Sequence, residues 1–170
     1  MALVVETGDV VEGANTYASV QESDEYITLH FPSDTIWKNI TNTEKEGYLI
    51  RATRFLDTMV KWRSEIKDNH QALAWPRQEF KDNEGRVIKN NIIPSAVKEA
   101  QIELAYSLAK GEELTTEYEK LEREDFGDTS DVYASPVKRG GNPLVLSLIK
   151  ALSYAGYARN RATIVTAWRA

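Results

Sequence analysis

The clearest periodic stretch of the chain runs from about Glu44 to Arg63. Leu49, Ile50, Thr53, Leu56 and Val60, with Ala52, Phe55 and Met59 beside them, recur at three- and four-residue spacing. One wide apolar face of this kind predicts a core helix. Thr43-Glu44-Lys45-Glu46 precedes it as a capping box, in which hydroxyl and carboxylate each accept a backbone amide of the other residue. Ser19-Val20-Gln21-Glu22 repeats that pattern and predicts a short helix over about Ser19 to Leu29, ended by Pro32. Ile93-Pro94-Ser95 opens another, with proline in the first turn, where a missing amide costs little. Val97, Ala100, Ile102, Leu104, Ala105, Leu108 and Ala109 carry it to Lys110, and Gly111 stops it. Asn142 as cap and Pro143 at the first position start a last helix. Its stripe is Leu144, Val145, Leu148, Ile149, Leu152 and Ala155, with Gly156 near the end.

The segments between lack such a period. Residues 1–18 read as an irregular or weakly stranded arm. Residues 64–92 read as a long ordered loop with short strands near Val87-Ile88, and loops of that length are uncommon unless functional or braced. Leu73, Trp75, Pro76 and Arg77 stand out there, the first three as apolar anchors that would brace the loop on the helical core. Residues from about 116 to 134 look like a projecting hairpin: Tyr118 to Asp125 polar and extended, Gly127-Asp128 as the turn, Thr129 to Ala134 returning. Helix is the rival for 117–124, where Glu, Lys, Leu and Arg all favour it. Lys138-Arg139-Gly140-Gly141 reads as a flexible joint. The β-branched tail Thr163-Ile164-Val165-Thr166-Ala167-Trp168, flanked by Arg161 and Arg169, reads as a strand-like arm able to add to another chain, or as a tail folded on its own domain. The expected architecture is mainly α: a compact bundle of three to four helices over residues 1–158, with the hairpin, and an extended C-terminal arm over 159–170.

Charge changes this picture. The chain of 170 residues carries a net −5, which makes it a poor generic binder of nucleic acid, but the average conceals a division. Residues 112–131 hold nine acids and two bases, and after Asp131 there are six bases and no acid. Residues 1–131 thus carry 15 bases against 26 acids, a net of −11. Such asymmetry points to a basic tail meeting an acidic surface or nucleic acid, or to opposite blocks attracting copies of the same chain.

Several chemistries are excluded. No apolar run reaches the roughly 18–20 residues of a membrane span, and the first residues lack the pattern of a secretory leader. With no cysteine and only His30 and His70, disulfides, thiol catalysis and zinc sites of cysteine or clustered histidine fall away. No phosphate-binding glycine loop or nucleophile elbow is present. The carboxylates Glu117, Glu119, Glu122, Glu124, Asp125 and Asp128 read as a solvated face, since a catalytic dyad needs burial to separate its two pKa values. No catalysis, metal or cofactor is expected. One constellation suggests single-strand binding: Lys61, Trp62-Arg63 and Trp75-Arg77 alternate basic and aromatic groups, and bases stack on aromatic rings. Trp62 closes a core helix and Trp75 precedes a proline in an apolar run, so burial is the favoured reading.

The motifs together resemble a known family. Glu6-Thr7-Gly8, Ala14-Asn15-Thr16-Tyr17, Leu49-Ile50-Arg51-Ala52-Thr53, Gln71-Ala72-Leu73-Ala74-Trp75-Pro76-Arg77 and Ile93-Pro94 carry the resemblance, which covers about residues 5–110. The chain is similar to tailed-phage proteins often labelled DnaT-like single-stranded DNA-binding proteins, which in turn resemble head–tail connectors. The connector side implies a structural virion protein in the neck between head and tail, made in the host cytoplasm. It would be an adaptor forming a ring, typically dodecameric, around the DNA channel. Its partners would be the portal protein, neighbouring copies and a downstream tail or neck protein, with no membrane. On that reading Arg161 to Arg169 dock on the portal, and the acidic hairpin faces the lumen or the tail. DNA passes through without specific recognition. The label itself implies the alternative, an intracellular single-stranded DNA-binding replication protein. A scaffold-like or regulatory helical module with no DNA role is a third class. The adaptor is the favoured expectation.

Overall fold

The computed structural model describes residues 2–114 and 143–158, and two of its helices begin at capping boxes that satisfy their first free amides. α1 (Val20–His30) starts at the expected box: Ser19 Oγ accepts from the Glu22 amide, and the Glu22 carboxylate accepts from the Ser19 amide. It ends one residue later than the sequence suggested, and it buries only Ser23 and Ile27. The single turn α2 (Ile36–Asn39) was not anticipated. Asp34 accepts the Ile36 and Trp37 amides at 3.0 Å each, and the turn exists to seat Trp37, which is 1% exposed.

α3 (Asn42–Met59) corrects the sequence reading at both ends. Its cap is Thr41, paired reciprocally with Glu44, and not Thr43. Both threonines precede a glutamate by three residues; the earlier box adds two residues, about half a turn, and starts the helix where Ile40 is still extended. Lys45 then turns inward to Asp24 at 2.9 Å, lying 5.8 Å from the Trp37 ring centre. At the other end the helix stops at Met59 and Val60 is extended. Trp62 is needed elsewhere: it bridges Ala158 and meets Trp75 edge-on. Tertiary packing here overrides a helical pattern that continues to Arg63.

The long loop carries one antiparallel pair, β1 (Phe80–Lys81) and β2 (Val87–Ile88), with Phe80 opposite Ile88. The buried Asp82 carboxylate holds its turn, accepting the Glu84 and Arg86 amides and the Arg86 side chain. This pair lies where short strands were expected. α4 (Ser95–Ala109) follows Pro94 and ends before Gly111 at φ +80°. α5 (Pro143–Tyr154) packs on α4 and closes at Gly156. There a Cβ would lie 2.5 Å from the Asn83 amide, so only glycine allows the approach.

α3 and α4 form the most extensive helix–helix interface, with α1 and α2 flanking them. The core runs from Ile27 and Leu49 through Leu56, Val97 and Leu104 to Leu152. The mainly helical architecture is therefore as expected. The predicted hairpin at 116–134, with Glu117, Glu119, Glu122, Glu124, Asp125 and Asp128, lies outside the described residues. So does the arm at 159–170, from Arg161 to Arg169.

The two candidate caps make a direct test. Thr41→Ala should lower unfolding free energy by about 1 kcal/mol, the usual worth of an N-cap. Thr43→Ala, at an exposed position in the first turn, should leave it within about 0.5 kcal/mol. Urea titration of both variants decides the register, and equal losses would contradict it.

Candidate nucleic-acid interface

The motif Leu73–Arg77 is where the sequence pointed most sharply, and the structure brings its members together as a brace. Trp75 is 0% exposed. Its ring centre is 5.7 Å from Trp62, 6.0 Å from Phe80 and 6.3 Å from Tyr157. Pro76 follows through a cis bond and is buried, and Leu73 packs against the core. The Arg77 guanidinium donates to the carbonyls of Arg63 (2.6 Å), Ala74 (2.8 Å) and Ser64, pinning two passes of the loop to each other.

A buried polar chain ties this brace to the N-terminal arm. Tyr17 Oη donates to Asp57 Oδ1 at 2.6 Å, and Asp57 Oδ2 accepts the Ala74 amide at 2.9 Å. Gln101 of α4 accepts the Tyr17 amide and donates to Thr16 Oγ1 and the Leu49 carbonyl. Burial, and then the Asp57 carboxylate, hold the Tyr17 phenol well above its ordinary range. Burial also raises Asp57, against hydrogen bonds from Tyr17 and Ala74 and the charge of Arg77. These groups cross-link the N-terminal arm, α3, the loop and α4.

The tryptophans are therefore unavailable to a nucleic acid. Trp62 is 7% exposed, and the indole N–H groups of Trp62 and Trp75 face the core without a hydrogen-bond partner. Arg63 is turned to Asn83 and the Gly156 carbonyl. Of the aromatic–basic constellation only Lys61 remains exposed and outside the ion pairs.

What the fold does present is the outer face of α3. Arg51, Arg54 and Thr58 are exposed at helical spacing, and Lys61 follows just past the helix end. Side chains three and four apart on a helix are neighbours, so these groups form a row roughly 10 Å long from Arg51 to Thr58. None of the ion pairs among the described residues includes Arg51, Arg54 or Lys61. Lys45 is engaged with Asp24, Lys98 with Glu22, Arg86 with Asp82 and Lys110 with Glu112, while exposed Lys81 and Lys89, away from α3, also lie outside these pairs.

The row borders an open groove of about 700 Å³ between α3 and the end of α4. Phe55, Met59, Leu108 and Leu114 give it apolar lining. Glu112 and Glu113 stand at its other side, with Glu112 held by Ser107 Oγ and Lys110 Nζ, both at 2.6 Å. Sequence reasoning used Arg51 only as part of a motif and passed over Arg54. The available signal was that residues 47–56 of an amphipathic helix contain two arginines and no acid. Among the described residues no group of three or more His, Asp or Glu is placed to hold a metal. No helix there is long and apolar enough to cross a membrane.

Residues 1–170, the whole chain, match the model of the family described as "putative DnaT-like ssDNA binding protein". The chain belongs to that family. No curated protein and no solved structure matches it significantly. Membership of the DnaT-like family corrects the head–tail adaptor expected from the sequence. The resemblance was right about the family and was carried too far, to connectors, by two segments, the 116–134 hairpin and the 159–170 arm. Neither lies among the described residues, whereas the motifs that do are explained by the Trp75 brace and the α3–α4 core. The portal, the ring of copies, the tail protein and the place in the virion neck belong to the adaptor reading alone.

Tyr17 gives the interior a measurable pH signature. The folded chain keeps a phenol proton that the unfolded chain releases near pH 10. Its stabilisation is complete below that pH and is lost as pH rises beyond it. Melting temperature should fall between about pH 9 and 11, and Tyr17→Phe should flatten that decline while lowering stability at neutral pH. An unchanged alkaline slope in the variant would show that other groups govern it.

Proposed function

We propose that this protein binds single-stranded DNA through the exposed face of α3. The observation that carries the reading is the match of the entire chain to the DnaT-like family. Arg51, Arg54 and Lys61, exposed and outside the ion pairs among the described residues, support its placement. Single-strand binders combine cations that follow the backbone with ring faces that take the bases. The cations here are adjacent on one helix, and half-buried Phe55 borders them in place of the enclosed tryptophans. Guanidinium groups suit phosphate because their planar forks donate two parallel hydrogen bonds.

The net −5 of the chain shapes how such binding works. A uniformly basic protein gathers polyanions over its whole surface, but an acidic one must rely on a local patch. Affinity should then rest on few phosphates and be sensitive to each cation. The reading involves no chemical step: the protein holds unpaired DNA and releases it unchanged.

Fluorescence anisotropy with a labelled single strand of about a dozen nucleotides, titrated over a range of salt, tests this. The wild-type chain should bind, more tightly than it binds the duplex of the same sequence. Arg51→Ala with Arg54→Ala should weaken binding about tenfold or more and reduce the slope of log K against log salt by about 0.7 for each phosphate no longer neutralised. Both residues are exposed, so the variant's melting temperature should stay near wild type. Failure of the wild type to bind any single strand at low salt would defeat the reading. Binding with an unaltered slope in the double variant would move the interface away from α3.

A further inference from the structure

α3 carries a glycine that nothing within the chain explains. Gly47 is exposed and lies inside the helix. Its backbone is ordinary helix, with none of the positive φ seen at Gly8, Gly85 and Gly111. A Cβ at Gly47 would meet nothing within 4 Å beyond its own stretch of helix, among the described residues. Elsewhere close-packed glycines answer to the chain itself: a Cβ at Gly8 would strike the Asn91 carbonyl, and one at Gly156 the Asn83 amide. Alanine would fit at position 47 and would hold the helix better, because glycine loses more backbone freedom on folding. Gly47 also shares a face with the arginine row. At about 100° per residue, Gly47, Arg51, Arg54 and Thr58 fall within about 60° of one another, along about 17 Å of helix. Residues 47–56 contain no acid. Glu44, one turn earlier, keeps its carboxylate on the Thr41 amide and hydroxyl.

We infer that the sugar–phosphate backbone of a single strand crosses α3 at Gly47, a deoxyribose lying against the bare helix there and the phosphates that follow it reaching Arg51 and Arg54. The inference rests on the single-strand reading above and adds the path of the strand to it. Amides inside a helix are already bonded, so a missing side chain offers room and not a donor. The unit that uses the room is therefore uncharged and slim, while the units beside it are anionic. A nucleic-acid strand alternates in that way. A second copy of α3 laid on this face would set arginines against arginines, and like charges brought together cost binding energy. Glycine is the residue that lets a ligand come close to a backbone. The closeness matters because a guanidinium holds phosphate through hydrogen bonds of about 2.7–2.9 Å. Helix side chains lean toward the N-terminus, which carries Arg51, one turn on, toward the gap. A side chain at position 47 would lift the sugar and draw its phosphate off Arg51.

The test measures melting temperature and single-strand affinity of the full chain as Gly47→Ala and Gly47→Leu, with a labelled oligodeoxythymidine of about a dozen nucleotides. Both substitutions favour helix, so neither variant should melt below wild type, and Gly47→Ala should melt about 2–4 °C higher. Affinity should move the other way, about threefold weaker for Gly47→Ala and about tenfold or more for Gly47→Leu, the loss of a charge-assisted hydrogen bond. Added to Arg51→Ala with Arg54→Ala, Gly47→Leu should cost less than about twofold further, because the contacts it displaces are already gone. Affinities within about twofold of wild type in both single variants, with Arg51 and Arg54 still required, would overturn the path and leave strand binding standing. A lower melting temperature in Gly47→Ala would show that the glycine serves the fold and would overturn it too. So would a wild type that is dimeric without DNA and monomeric as Gly47→Leu, which would assign the gap to contact between copies. A wild type that binds no single strand would remove the single-strand reading itself.

Discussion

The enclosure of one indole organises everything outside the helices. Trp75 removes its whole ring from water only because four separate stretches close over it: the end of the α3 connection at Trp62, the loop around it, β1 at Phe80, and the turn after α5 at Tyr157. An aromatic side chain buries on the order of 150–250 Å², the largest single contribution available to a segment with little regular structure. The hydrogen bonds around it are of the same kind. Arg77 satisfies three carbonyls that no helix or sheet would, and Asp57 and Tyr17 fix the backbone on either side. An ordered loop with so few strands must find partners for its backbone groups in side chains, and this one does.

That commitment divides the surface. Aromatic and basic residues that alternate around Trp62 and Trp75 in the sequence are used inside, on packing and on carbonyls. Among the described residues, the outer face of α3 keeps Arg51 and Arg54 exposed and outside the ion pairs, on a helix whose inner face is occupied by Leu49, Ala52, Thr53 and Leu56. Its outer face is thus both rigid and chemically free. The proposed binding of single-stranded DNA would use that face, on a chain whose net charge is −5.

Much of this was legible in the sequence, for local reasons. The Ser19–Glu22 box, Pro94 with Gly111, and Pro143 with Gly156 marked helix ends because their effects are felt within a turn. Burial of Trp75 beside Pro76 was legible from area alone. Thr41 and Thr43 offered equivalent boxes, and only the inward demand of Lys45 for Asp24 separates them. α2 was invisible because one turn has no period; it is held by Asp34 and Trp37 through contacts with α1 and α4. The α3 arginines lie in a short acid-free stretch that is a weak signal beside the tryptophans, whose fate depends on partners as far apart as Trp62 and Ala158, 96 residues along the chain. The functional expectation failed for another reason: opposite charge blocks and a β-branched tail suit a ring as readily as other assemblies, and they carried the reading past the family itself.

The separation of α3 from α4 bears on how the chain reaches this state. The main helix pair is joined by the 35 residues between Met59 and Ser95. Helices form locally and quickly, but docking these two requires closing a long loop before most of its interactions exist. A folding nucleus built on α3 and α4 would carry that loop-closure cost before the loop's own contacts repay it. In that order the Trp75 enclosure and the Arg77 fork would close last and act as a latch, governing how slowly the native state opens more than how fast it forms.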